Sequence, residues 1–483
     1  MQKMDFTGAK IAVLGVGEAG QAAARWLHSR GAELLCCDTL AVNEWSPEFL
    51  EWCRASGIRL LCEDDMDTQD VPSCQFAVVS PGIPPIARMV RSFMKRGVPV
   101  IGELALSASL WKGRLIGITG TNGKTTTTAL TAHLLSSAGI PNVKAGNISP
   151  PLFECMSQKS EDMTAVLEIS SFQLEYFPGD WPDGLIKPRF STACILNIAP
   201  DHIDRHGNTM EYARCKLRLL EYQGPGDMAV LGPVGQVSMP DMDADIFMLR
   251  PSERHGHGAH MDIAGSCLAI VWPGGAREEY DLSGWRLYGR HNLENLAAAI
   301  VAARHAGAGH DAVQNGINIF QAPAYRLQNS GTWRGIRFIN DSKATNVAAL
   351  IAALESVQGD VTLIAGGRGK GEEFSRIAEF VRAGSSNGYK GGMLKSAVLI
   401  GEEAERMASV MQGIGVKTKV LSGTDGEKTI QEAVRIAVAM SRPGDIVLLS
   451  PACASFDMFS SYRQRGKAFD NAVKILADGV FNA

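Results

Sequence analysis

Residues 119–125, Thr-Gly-Thr-Asn-Gly-Lys-Thr, have the composition of a phosphate-binding loop. Glycines in such a loop let backbone N–H groups point at phosphate oxygens, and the start of the helix that follows adds partial positive charge. Lys124 can reach the outer phosphates of a nucleotide, and the hydroxyl of Thr125 can bind Mg²⁺. We therefore predict that a nucleoside triphosphate binds here. The residues expected to hold it are Gly120, Thr121, Asn122, Gly123, Lys124, Thr125 and Thr126.

The segments on both sides of the loop fit this prediction. The apolar run 115–118 predicts a short buried strand, and the residues after the loop predict a helix that ends near Ala138. The strict pattern has glycine where this chain has Ile118. A glycine-rich turn without a nucleotide is the alternative interpretation, but a strand before the loop and a helix after it favour nucleotide binding.

Two more predicted strands end in groups that can bind a metal ion. The strand 165–169 carries Glu168, and a carboxylate at the end of a strand parallel to the loop strand suits Mg²⁺. A surface or helix-capping role is the alternative for this glutamate. The strand 194–198 is followed by Asp-His-Ile-Asp-Arg-His at 201–206. These groups can hold a second metal ion, or Asp201 can cap a helix beside solvated histidines.

The predicted helix 209–221 carries a lysine whose role the spacing does not decide. The helix has an apolar stripe with the i, i+3, i+7, i+10 spacing of a helix that packs on a core. The stripe consists of Met210, Ala213, Leu217 and Leu220. Lys216 lies beside this stripe, and a lone lysine on a helix is usually solvated.

The N-terminal segment carries Gly-x-Gly-x-x-Gly at 15–20, after a predicted strand, with Asp38 about 20 positions further on. This is the fingerprint of a dinucleotide-binding turn. Three interpretations stay open: a nicotinamide dinucleotide, one diphosphate of a non-redox nucleotide with Asp38 on a ribose or base, or a tight turn without a ligand. Another strand, at 76–79, ends at Ser80, where an open α/β sheet places its ligand.

The last third of the chain repeats the order strand, polar turn, helix, which predicts a second parallel α/β sheet. Its strands are expected at 336–340, 361–365, 397–400 and 446–449. The loops after these strands carry Lys, Thr and Ser side chains that suit a small acidic substrate, and ordinary turn chemistry is the alternative. Before this region, residues 232–284 predict a flexible or β-meander loop, and Asn292 is placed to cap the helix 293–306.

Composition and charge narrow the class of protein. The chain has 483 residues, enough for about three domains, and its 45% hydrophobic and 20% charged content is typical of a soluble globular protein. The net charge of −4 gives no electrostatic reason to expect nucleic acid, and no apolar run nears the roughly 20 residues of a membrane helix. The N-terminus enters a strand almost at once, so no signal peptide is expected. The 10 cysteines include no C-x-x-C pair and predict reduced thiols in the cytoplasm.

Six motifs, in order along nearly the whole chain, resemble those of the Mur ligases. They are Thr119-Gly-Thr-Asn-Gly-Lys-Thr-Thr, Glu168-Ile-Ser-Ser-Phe-Gln-Leu-Glu, Asn197-Ile-Ala-Pro-Asp-His-Ile-Asp-Arg-His, Gly289-Arg-His-Asn, Asn340-Asp-Ser-Lys-Ala-Thr-Asn and Leu449-Ser-Pro-Ala-Cys-Ala-Ser-Phe-Asp. The last two are specific to the members of the family that add D-glutamate. The Asp-Asn-Pro-Arg motif of the diaminopimelate-adding members is absent from the sequence.

The resemblance implies an α/β fold of three domains. Residues 1–104 would form a Rossmann-like domain for a UDP substrate, and residues 105–321 a central parallel sheet with the ATP-binding phosphate loop. Residues 322–483 would form a Rossmann-like α/β domain that binds the amino acid and closes over the other two. We expect a cytoplasmic monomer that binds small-molecule substrates and neither nucleic acid nor membrane.

The resemblance also implies the reaction, which is the ATP-dependent joining of D-glutamate to UDP-N-acetylmuramoyl-L-alanine in the synthesis of peptidoglycan precursors. The substrate carboxylate would take the γ-phosphoryl group of ATP to become an acyl phosphate, which the amine of D-glutamate attacks. A free carboxylate is a poor electrophile, and phosphorylation gives it a leaving group. The expected cofactors are ATP and two Mg²⁺ ions, with Mn²⁺ as a possible replacement.

Several residue roles follow from the resemblance alone. Thr125 and Glu168 would hold one metal ion, and Glu168, His202 and Lys216 the second. Because an ammonium cannot ligate a cation, a carbamylated Lys216 is implied. Asn147 and His202 would lie near the reacting carboxylate. The resemblance implies that ATP is contacted by Asn292, Arg326 and Asp341. It implies that the uridine diphosphate is contacted by Gly17, Asp38, Thr39 and Ser80. It implies that D-glutamate is contacted by Lys343, Thr345, Lys370, Ser455 and Phe456.

The chain departs from the family pattern at three places in the last domain. Tyr325 stands where the family often has His, Arg368 where it often has Asp, and Ser461 is less typical at its position. Three other functions stay open. A nicotinamide-dependent oxidoreductase would use the N-terminal glycine motif but would leave the phosphate loop unexplained. The others are a non-catalytic nucleotide switch and another member of the ligase family, including the folate-polyglutamylating enzymes.

Overall fold

Three β-sheets covered by helices build the chain in this computed structural model. The structure describes residues 4–67, 72–156, 162–235, 237–250, 259–264, 266–287, 289–321, 324–369, 371–386 and 392–477. The central strands of each sheet are near-continuous apolar runs, because a parallel strand with helices on both faces is buried on both sides. The predicted α/β class is confirmed.

The bounds of the strands and helices show how the chain alternates between them. The strands are β1 (Lys10–Leu14), β2 (Glu33–Asp38), β3 (Arg59–Cys62), β4 (Phe76–Val79), β5 (Val100–Gly102), β6 (Leu115–Thr119), β7 (Asn142–Gly146), β8 (Thr164–Glu168), β9 (Phe190–Ile195), β10 (Met228–Leu231), β11 (Asp245–Met248), β12 (Ala259–Ala264), β13 (Cys267–Val271), β14 (Arg277–Asp281), β15 (Gln328–Trp333), β16 (Ile336–Asn340), β17 (Asp360–Gly366), β18 (Met393–Ile400), β19 (Lys417–Leu421) and β20 (Ile446–Leu449). The helices are α1 (Glu18–Ser29), α2 (Pro47–Ala55), α3 (Arg88–Lys95), α4 (Glu103–Leu110), α5 (Lys124–Ser137), α6 (Ser171–Leu174), α7 (Ile203–His206), α8 (Thr209–Leu217), α9 (Arg290–His305), α10 (His310–Ile319), α11 (Val347–Ser356), α12 (Ser375–Ser386), α13 (Ala404–Gln412), α14 (Gly426–Ala439) and α15 (Tyr462–Ala477).

The first sheet has the strand order β3-β2-β1-β4-β5, and its neighbouring strands are all parallel. This is the strand order 3-2-1-4-5-6 of a Rossmann fold without its sixth strand. The order reverses between β1 and β4, so the loops after these two strands border a crevice at the carboxyl edge of the sheet. The Rossmann-like N-terminal domain is therefore confirmed.

The central sheet has nine strands in the order β14-β13-β12-β11-β10-β9-β6-β8-β7. The strand β6, which leads into the phosphate loop, lies between β8 and β9 and is parallel to both. The region 232–284, predicted as a flexible or β-meander loop, contains the strands β11 to β14. The β-meander part is confirmed, because β12, β13 and β14 are consecutive antiparallel neighbours at one edge.

The third sheet has the order β15-β16-β20-β17-β18-β19, and only β15 in it is antiparallel to its neighbour. All four predicted strands of this region are present, two of them with the predicted bounds, β16 and β20. The helix α11 starts at an asparagine cap, because Oδ1 of Asn346 accepts the N–H of Ala349 at 2.8 Å.

Two compact units contain the described residues. The first unit takes those within 1–198, 210–283 and 295–318, which include the first two sheets. The second unit takes those within 199–209, 284–294 and 319–483, which include the third sheet. The domain boundaries after residues 104 and 321 stay predictions. Within the described part of the chain, no helix combines the length and the apolar character that a membrane span requires.

Two local predictions were wrong, one for the cap of α9 and one for the end of β9. The helix α9 begins at Arg290, so Asn292 lies in its first turn, where its N–H donates to the carbonyl of Gly289 at 3.0 Å, and it does not cap the helix. The strand predicted at 194–198 is β9, which ends at Ile195. The apolar residues after the strand continue its hydrophobic pattern, and this masked the true end of the ladder.

Candidate active site

The phosphate loop joins β6 to α5 and depends on two glycines. Gly120 and Gly123 have φ angles of +147° and +89°, in the region that favours glycine. A Cβ on Gly123 would lie 2.3 Å from Oδ1 of Asn295, so a side chain there would displace its neighbour. The helix α5 starts directly at Lys124. N–H groups of a first helical turn have no partner within their own helix, which makes the turn suited to an anion.

Asn197 holds this loop from the end of the neighbouring strand β9. Its carbonyl accepts the N–H of Thr121 at 2.9 Å, and its Oδ1 accepts the N–H of Asn122 at 2.9 Å. Its Nδ2 donates to the carbonyl of Asn122 at 3.0 Å. Asn197 opens one of the six sequence motifs, but no role was predicted for it. The available signal was a polar residue just after a strand that neighbours the loop strand.

The side chain of Lys124 folds back over the loop. Its Nζ donates to the carbonyl oxygens of Gly120 and Thr121, both at 2.8 Å. The ammonium group is therefore held at the loop, where the outer phosphates of a bound nucleotide would meet it. The contact of these residues with a nucleotide stays a prediction.

Glu168 and Asn147 form a pair beside the loop strand. Glu168 ends β8, is 3% exposed, and lies opposite Ile118 of β6 in the sheet register. Asn147 follows β7, and its Nδ2 donates to Oε1 of Glu168 at 2.9 Å while its N–H donates to the backbone carbonyl of Glu168 at 2.7 Å. A Cβ on Gly146 would lie 2.3 Å from that carbonyl, so the close approach requires glycine. The amide therefore orients the carboxylate.

Lys216 is buried, and the expectation of a solvated lysine is wrong. The side chain is 1% exposed, its Nζ donates to Oγ1 of Thr119 at 3.4 Å, and it lies 4.6 Å from the ring centre of Tyr212. The hydroxyl of Tyr212 donates to Oγ1 of Thr121 at 3.2 Å. Because residues at i and i+4 share one face of a helix, α8 presents both side chains to the phosphate loop. Met210, placed in the predicted apolar stripe, is 51% exposed.

His202 belongs to the second unit and has an unusual backbone. Its φ and ψ are +52° and +37°, a left-handed conformation that a residue with a Cβ adopts at some cost. Its N–H donates to Oδ1 of Asp201 at 3.0 Å, and Oδ2 of Asp201 accepts from Nδ2 of Asn346 at 3.2 Å. Among the described residues, no group of three or more His, Cys, Asp or Glu is placed to hold a metal ion. A metal site made by residues 201–206 alone is therefore not supported.

The second unit also brings together two residues predicted to contact ATP. Asp341 is 7% exposed and accepts from the hydroxyl of Ser450 at 3.2 Å and from the N–H of Leu327 at 3.3 Å. Burial raises the pKa of this carboxyl to about 7, against the opposing effect of the Arg326 guanidinium. Arg326 and Asp341 are therefore neighbouring groups, and their contact with ATP stays a prediction.

His291 and Asn292, in the first turn of α9, belong to the same unit. Burial, and after it the charge of Arg326, lowers the pKa of His291 to about 4, so its imidazole is neutral at physiological pH. Asn292 is 6% exposed. A neutral imidazole and an amide beside a guanidinium can read the polar edge of a base or a ribose without adding charge.

The residues predicted to bind D-glutamate follow the ends of strands in the third sheet. Lys343 and Thr345 come after β16, and Ser455 and Phe456 come after β20. The Phe456 side chain is 63% exposed, which is unusual for a large apolar group and suits a residue that covers a ligand. Lys370, predicted for the same pocket, lies outside the described residues.

A buried arginine that the sequence analysis missed holds these loops together. Arg465 is 1% exposed and donates to the hydroxyl and the carbonyl of Ser342 at 3.2 and 2.9 Å. It also donates to the carbonyls of Gly366, Cys453 and Ala454 at 3.4, 3.1 and 3.3 Å. Burial lowers the pKa of its guanidinium to about 10. One cation thus fixes the loops after β16, β17 and β20.

The sequence did contain a signal for Arg465. The helix α15 has buried apolar residues three and four positions after the arginine, Ala468 and Phe469. A charged residue in line with an apolar helix face predicts a buried charge that must find several hydrogen-bond partners.

A cavity of about 550 Å³ opens within the second unit. Its lining includes Asp201 and Asp204 from the segment before α8, Asn346 at the start of α11, and Glu372 and Arg376. Two of its lining residues, Asn346 and Gly371, are sequence neighbours of Thr345 and Lys370, which are predicted to bind D-glutamate.

The glycine fingerprint of the first sheet mainly shapes the crevice between β1 and β4. Gly15 has φ of +88°, and its carbonyl accepts the hydroxyl of Ser80 at 2.7 Å. A Cβ on Gly20 would lie 1.8 Å from the same carbonyl. Gly17 differs, because a Cβ there would meet nothing within 4 Å. The backbone at Gly17 is open at the start of α1, where a phosphate group could approach.

Asp38 ties the neighbouring loop to the same crevice. Its Oδ2 accepts the N–H of Val16 at 2.6 Å, and its Oδ1 accepts the N–H of Leu40 at 3.0 Å and the hydroxyl of Thr39 at 3.3 Å. Both carboxylate oxygens are thus occupied by the protein itself. A ligand hydroxyl would have to use the remaining lone pairs.

The departures from the family pattern have visible consequences. Tyr325 has φ of +64°, and its ring packs so tightly on Gly466 that a Cβ there would lie 2.4 Å from it. Arg368 donates to the carboxylate of Glu402 at 2.9 Å on the surface. Ile118, in place of glycine, is fully buried in β6.

Three family models match consecutive parts of the chain. "Mur ligase MurD-like, N-terminal domain" matches residues 9–102, "Mur ligase middle domain" matches 118–303, and "Mur ligase, glutamate ligase domain" matches 325–453. The matches cover the three sheets in turn.

Curated relatives are similar over their full length. UDP-N-acetylmuramoylalanine–D-glutamate ligase of Pelotomaculum thermopropionicum is 35% identical, with 98% of this chain and 99% of that protein covered. The enzyme with the same name in Koribacter versatilis is 34% identical, with 98% and 99% covered.

Solved structures are similar in fold at low sequence identity. A pseudomurein peptide ligase type C from Methanothermus fervidus superposes with a TM-score of 0.58 at 16% identity, over 97% of this chain and all of that one. UDP-N-acetylmuramate–alanine ligase of Thermotoga maritima has a TM-score of 0.53 at 15% identity, over 97% and 99%.

Proposed function

The chain belongs to the Mur ligase family, and we propose that it joins D-glutamate to UDP-N-acetylmuramoyl-L-alanine with conversion of ATP to ADP and phosphate. The observation that carries the proposal is the similarity over nearly the full length to ligases with that name. The phosphate loop, with Lys124 over it and Lys216 and Glu168 beside it, is the site where the chemistry would start. The product is a precursor of peptidoglycan.

The reaction proceeds in two steps. A carboxylate oxygen of the UDP substrate attacks the γ-phosphorus of ATP, and the bond to the bridging oxygen breaks to release ADP. The amine nitrogen of D-glutamate then attacks the acyl phosphate carbon, loses a proton, and expels inorganic phosphate. In the first step negative charge is transferred between oxygens, so the cations and N–H groups at the loop stabilise it.

Lys124 and the N–H groups of the loop are the chain's own contribution to that charge. The fixed geometry of the loop, clamped by Asn197 and closed by two glycines, means that little reorganisation is needed when phosphate binds. Asn147 holds Glu168 in one orientation, which fixes a carboxylate at the same edge of the sheet.

Glu168 and Thr125 fit one Mg²⁺, because both offer the hard oxygen donors that this ion prefers. When bound, such an ion neutralises charge on the transferred phosphoryl group. The family resemblance implies a second ion for Glu168, His202 and Lys216, and Lys216 needs an oxygen donor for that role. Mg²⁺ in two positions, with Mn²⁺ as a substitute, is therefore proposed together with the modification of this lysine.

We infer that Lys216 is carbamylated. Its neutral amine would attack carbon dioxide, form a nitrogen–carbon bond and release one proton, which leaves a carbamate anion. A buried ammonium is costly, whereas a buried anion beside metal ions is compensated. Burial of Lys216 beside Thr119, the first residue of the phosphate loop, supports this role.

The crevice of the first sheet would take the uridine diphosphate. Gly17 leaves the backbone open at a helix N-terminus, and Ser80 lies across the crevice with Asp38 and Thr39 near it. The family model that matches this part of the chain supports a ligase domain over a nicotinamide-dependent oxidoreductase.

The loops that Arg465 fixes would take D-glutamate. Lys343 and Lys370 offer cations for its carboxylates, Thr345 and Ser455 offer hydroxyls, and Phe456 would cover the bound molecule. Asn292, Arg326 and Asp341 would contact ATP. The protein would act as a monomer.

A panel of amino acids tests the proposed substrate. Purified protein is supplied with ATP, Mg²⁺ and UDP-N-acetylmuramoyl-L-alanine, and phosphate release is measured with D-glutamate, L-glutamate, L-alanine, glycine, L-lysine or diaminopimelate. We expect release with D-glutamate, and no release when any one component is omitted. Release with a different amino acid, in preference to D-glutamate, would assign the chain to another branch of the family.

A further inference from the structure

A second cavity of about 620 Å³ lies in the first unit, away from the phosphate loop. Its lining includes Gly113 and Leu115, where β6 begins, and Arg189, which immediately precedes β9. The phosphate loop follows the opposite end of β6, which is roughly 13 Å away along a five-residue strand. The cavity therefore belongs to the edge of the sheet that faces away from the proposed chemistry.

One wall of this cavity is aromatic and is fixed in place. Trp111 is 7% exposed, and its Nε1 donates to the carbonyl of Met163 at 3.3 Å. Trp26 makes an edge-on contact with Phe6, with ring centres 5.6 Å apart, and a tilted contact with Phe153 at 5.3 Å. The rings are thus held by the protein and form a preformed apolar surface.

The rim of the cavity is basic. Arg30, Lys112, Lys187 and Arg189 line it, and among the described lining residues none is Asp or Glu. This composition is notable in a chain where acidic residues outnumber Lys and Arg, 51 to 47. Arg189 is engaged by Asp227 at 2.8 Å. Arg30 and Lys187 are exposed and lie over aromatic rings, 4.9 Å from Trp26 and 4.7 Å from Tyr222.

The two sides of the cavity come from the first and second sheets of the chain. Phe6 precedes β1, Trp26 lies in α1 and Arg30 follows that helix, whereas Trp111 and Lys187 lie in the segments before β6 and β9. A ligand in the cavity would touch both parts of the unit. Binding at such a junction stabilises the arrangement that it binds.

We propose that this cavity binds a soluble amphipathic anion, a molecule with one acidic headgroup on a flat or flexible apolar body. The volume is in the range of about 300–1,000 Å³ that is typical of small-molecule sites. The apolar body packs on Trp26 and Trp111, and the headgroup meets Arg30 and Lys187 at the rim. This site is independent of the proposed ligase chemistry, because it shares no residue with the phosphate loop.

Fluorescence titration with 8-anilinonaphthalene-1-sulfonate tests the proposal on the full chain. The uncharged analogue N-phenyl-1-naphthylamine has the same rings without the sulfonate. We expect the sulfonate to bind at least about ten-fold more tightly than the analogue, and the double variant Arg30→Glu/Lys187→Glu to remove that difference. The matched control Arg91→Glu/Lys95→Glu reverses two exposed charges on α3. It is expected to leave the difference in affinity between the two probes unchanged.

Displacement and vesicle experiments identify the kind of ligand. Dodecanoate is expected to displace the bound probe, and dodecanol is not. Equal affinity of the parent protein for the two probes would overturn the proposal. An equal loss of affinity for the sulfonate probe in both double variants would also overturn it. Binding to phosphatidylglycerol vesicles without binding of the soluble anions would also overturn it, because the occupant would then be a membrane surface. Circular dichroism of each variant confirms that the fold is retained.

Discussion

A lysine that is 1% exposed needs a reason to be buried, because an ammonium group loses its hydration in the interior. Lys216 meets a hydroxyl and an aromatic ring beside the phosphate loop. A lysine with a purely structural role in the core would have no reason to lie beside the phosphate loop. The proposed conversion to a carbamate would account for both the burial and the location, since the group would then offer oxygen atoms to a metal ion.

We predict that Lys216→Ala lowers phosphate release by more than about 100-fold, because an oxygen ligand of the metal site is lost. Addition of acetate or propionate is expected to restore part of the activity by supplying a carboxylate in the vacated space. The control Arg214→Ala removes an exposed cation from the same helix and is expected to retain activity. Full activity of Lys216→Ala without any added acid would contradict the carbamate.

We predict a smaller effect for Asn147→Ala, which removes the amide that orients Glu168. Supporting residues of a metal ligand contribute about 10–100-fold to affinity or activity. The concentration of Mg²⁺ needed for half-maximal rate is therefore expected to rise by about ten-fold or more. Asn142→Ala, on the same strand β7 but partnered by Ser136, serves as control. An unchanged Mg²⁺ requirement would show that Asn147 does not support a metal ligand.

At the scale of secondary-structure elements, the strands and their end loops carry the site, and α15 holds three of those loops through Arg465. Removal of the guanidinium takes a donor from the carbonyls of Ser342, Gly366 and Cys453, and a buried carbonyl left unpaired costs about 1–3 kcal/mol. The loops would then lose their shared geometry.

We predict that Arg465→Met lowers the thermal midpoint by several degrees and raises the KM for D-glutamate more than the KM for ATP. Arg465→Lys can replace part of the hydrogen bonding, so its thermal midpoint and its KM for D-glutamate are expected to lie between those of the parent and of Arg465→Met. Lys467→Met changes an exposed cation on the same helix and is the matched control. Equal increases in both KM values would point to general destabilisation rather than positioning of the amino-acid loops.

Glu103, the first residue of α4, gives a prediction about pH. Its Oε1 is buried with no hydrogen-bond partner among the described residues, and burial raises the pKa of the carboxyl from 4.5 to about 8. Between those pH values the folded protein keeps a proton that the unfolded chain releases. The free energy of unfolding must therefore fall as pH rises through this window and level off above it.

We predict that Glu103→Gln flattens this dependence. Between pH 6 and pH 9 the free energy of unfolding of the parent is expected to fall by about 3 kcal/mol more than that of the variant. Urea unfolding at the two pH values measures the difference. Glu51→Gln, an exposed substitution on α2, is the control. Parallel pH curves for the parent and Glu103→Gln would show that this carboxyl does not stay protonated in the folded chain.

At the scale of the whole molecule, the order of elements could be predicted from the sequence and several local details could not. The strands β4, β16 and β20 have the predicted bounds because apolar runs flanked by glycine or polar turns leave few alternatives. The region 232–284 was not identified as part of the central sheet, because its short strands are separated by polar residues and gain their stability from neighbours far away in the sequence.

The candidate site was predictable where chemistry depends on sequential neighbours and not where it depends on packing. The phosphate loop is contiguous, so its role was visible in residues 119–125. The burial of Lys216 and the loop contacts of Arg465 depend on tertiary neighbours, which helical spacing cannot reveal. The role of Lys216 came from resemblance alone, and the structure supplies the burial that makes it physically reasonable.

The most direct test of the central claim is product formation by Lys124→Ala. The parent protein, Lys124→Ala and the surface control Lys95→Ala are each supplied with ATP, Mg²⁺, UDP-N-acetylmuramoyl-L-alanine and D-glutamate, and the release of phosphate and the ligated product are measured together. We predict that Lys95→Ala matches the parent while Lys124→Ala forms product at least about 100-fold more slowly, because the phosphoryl group loses its cation. Formation of the ligated product by Lys124→Ala at the parent rate would contradict the account.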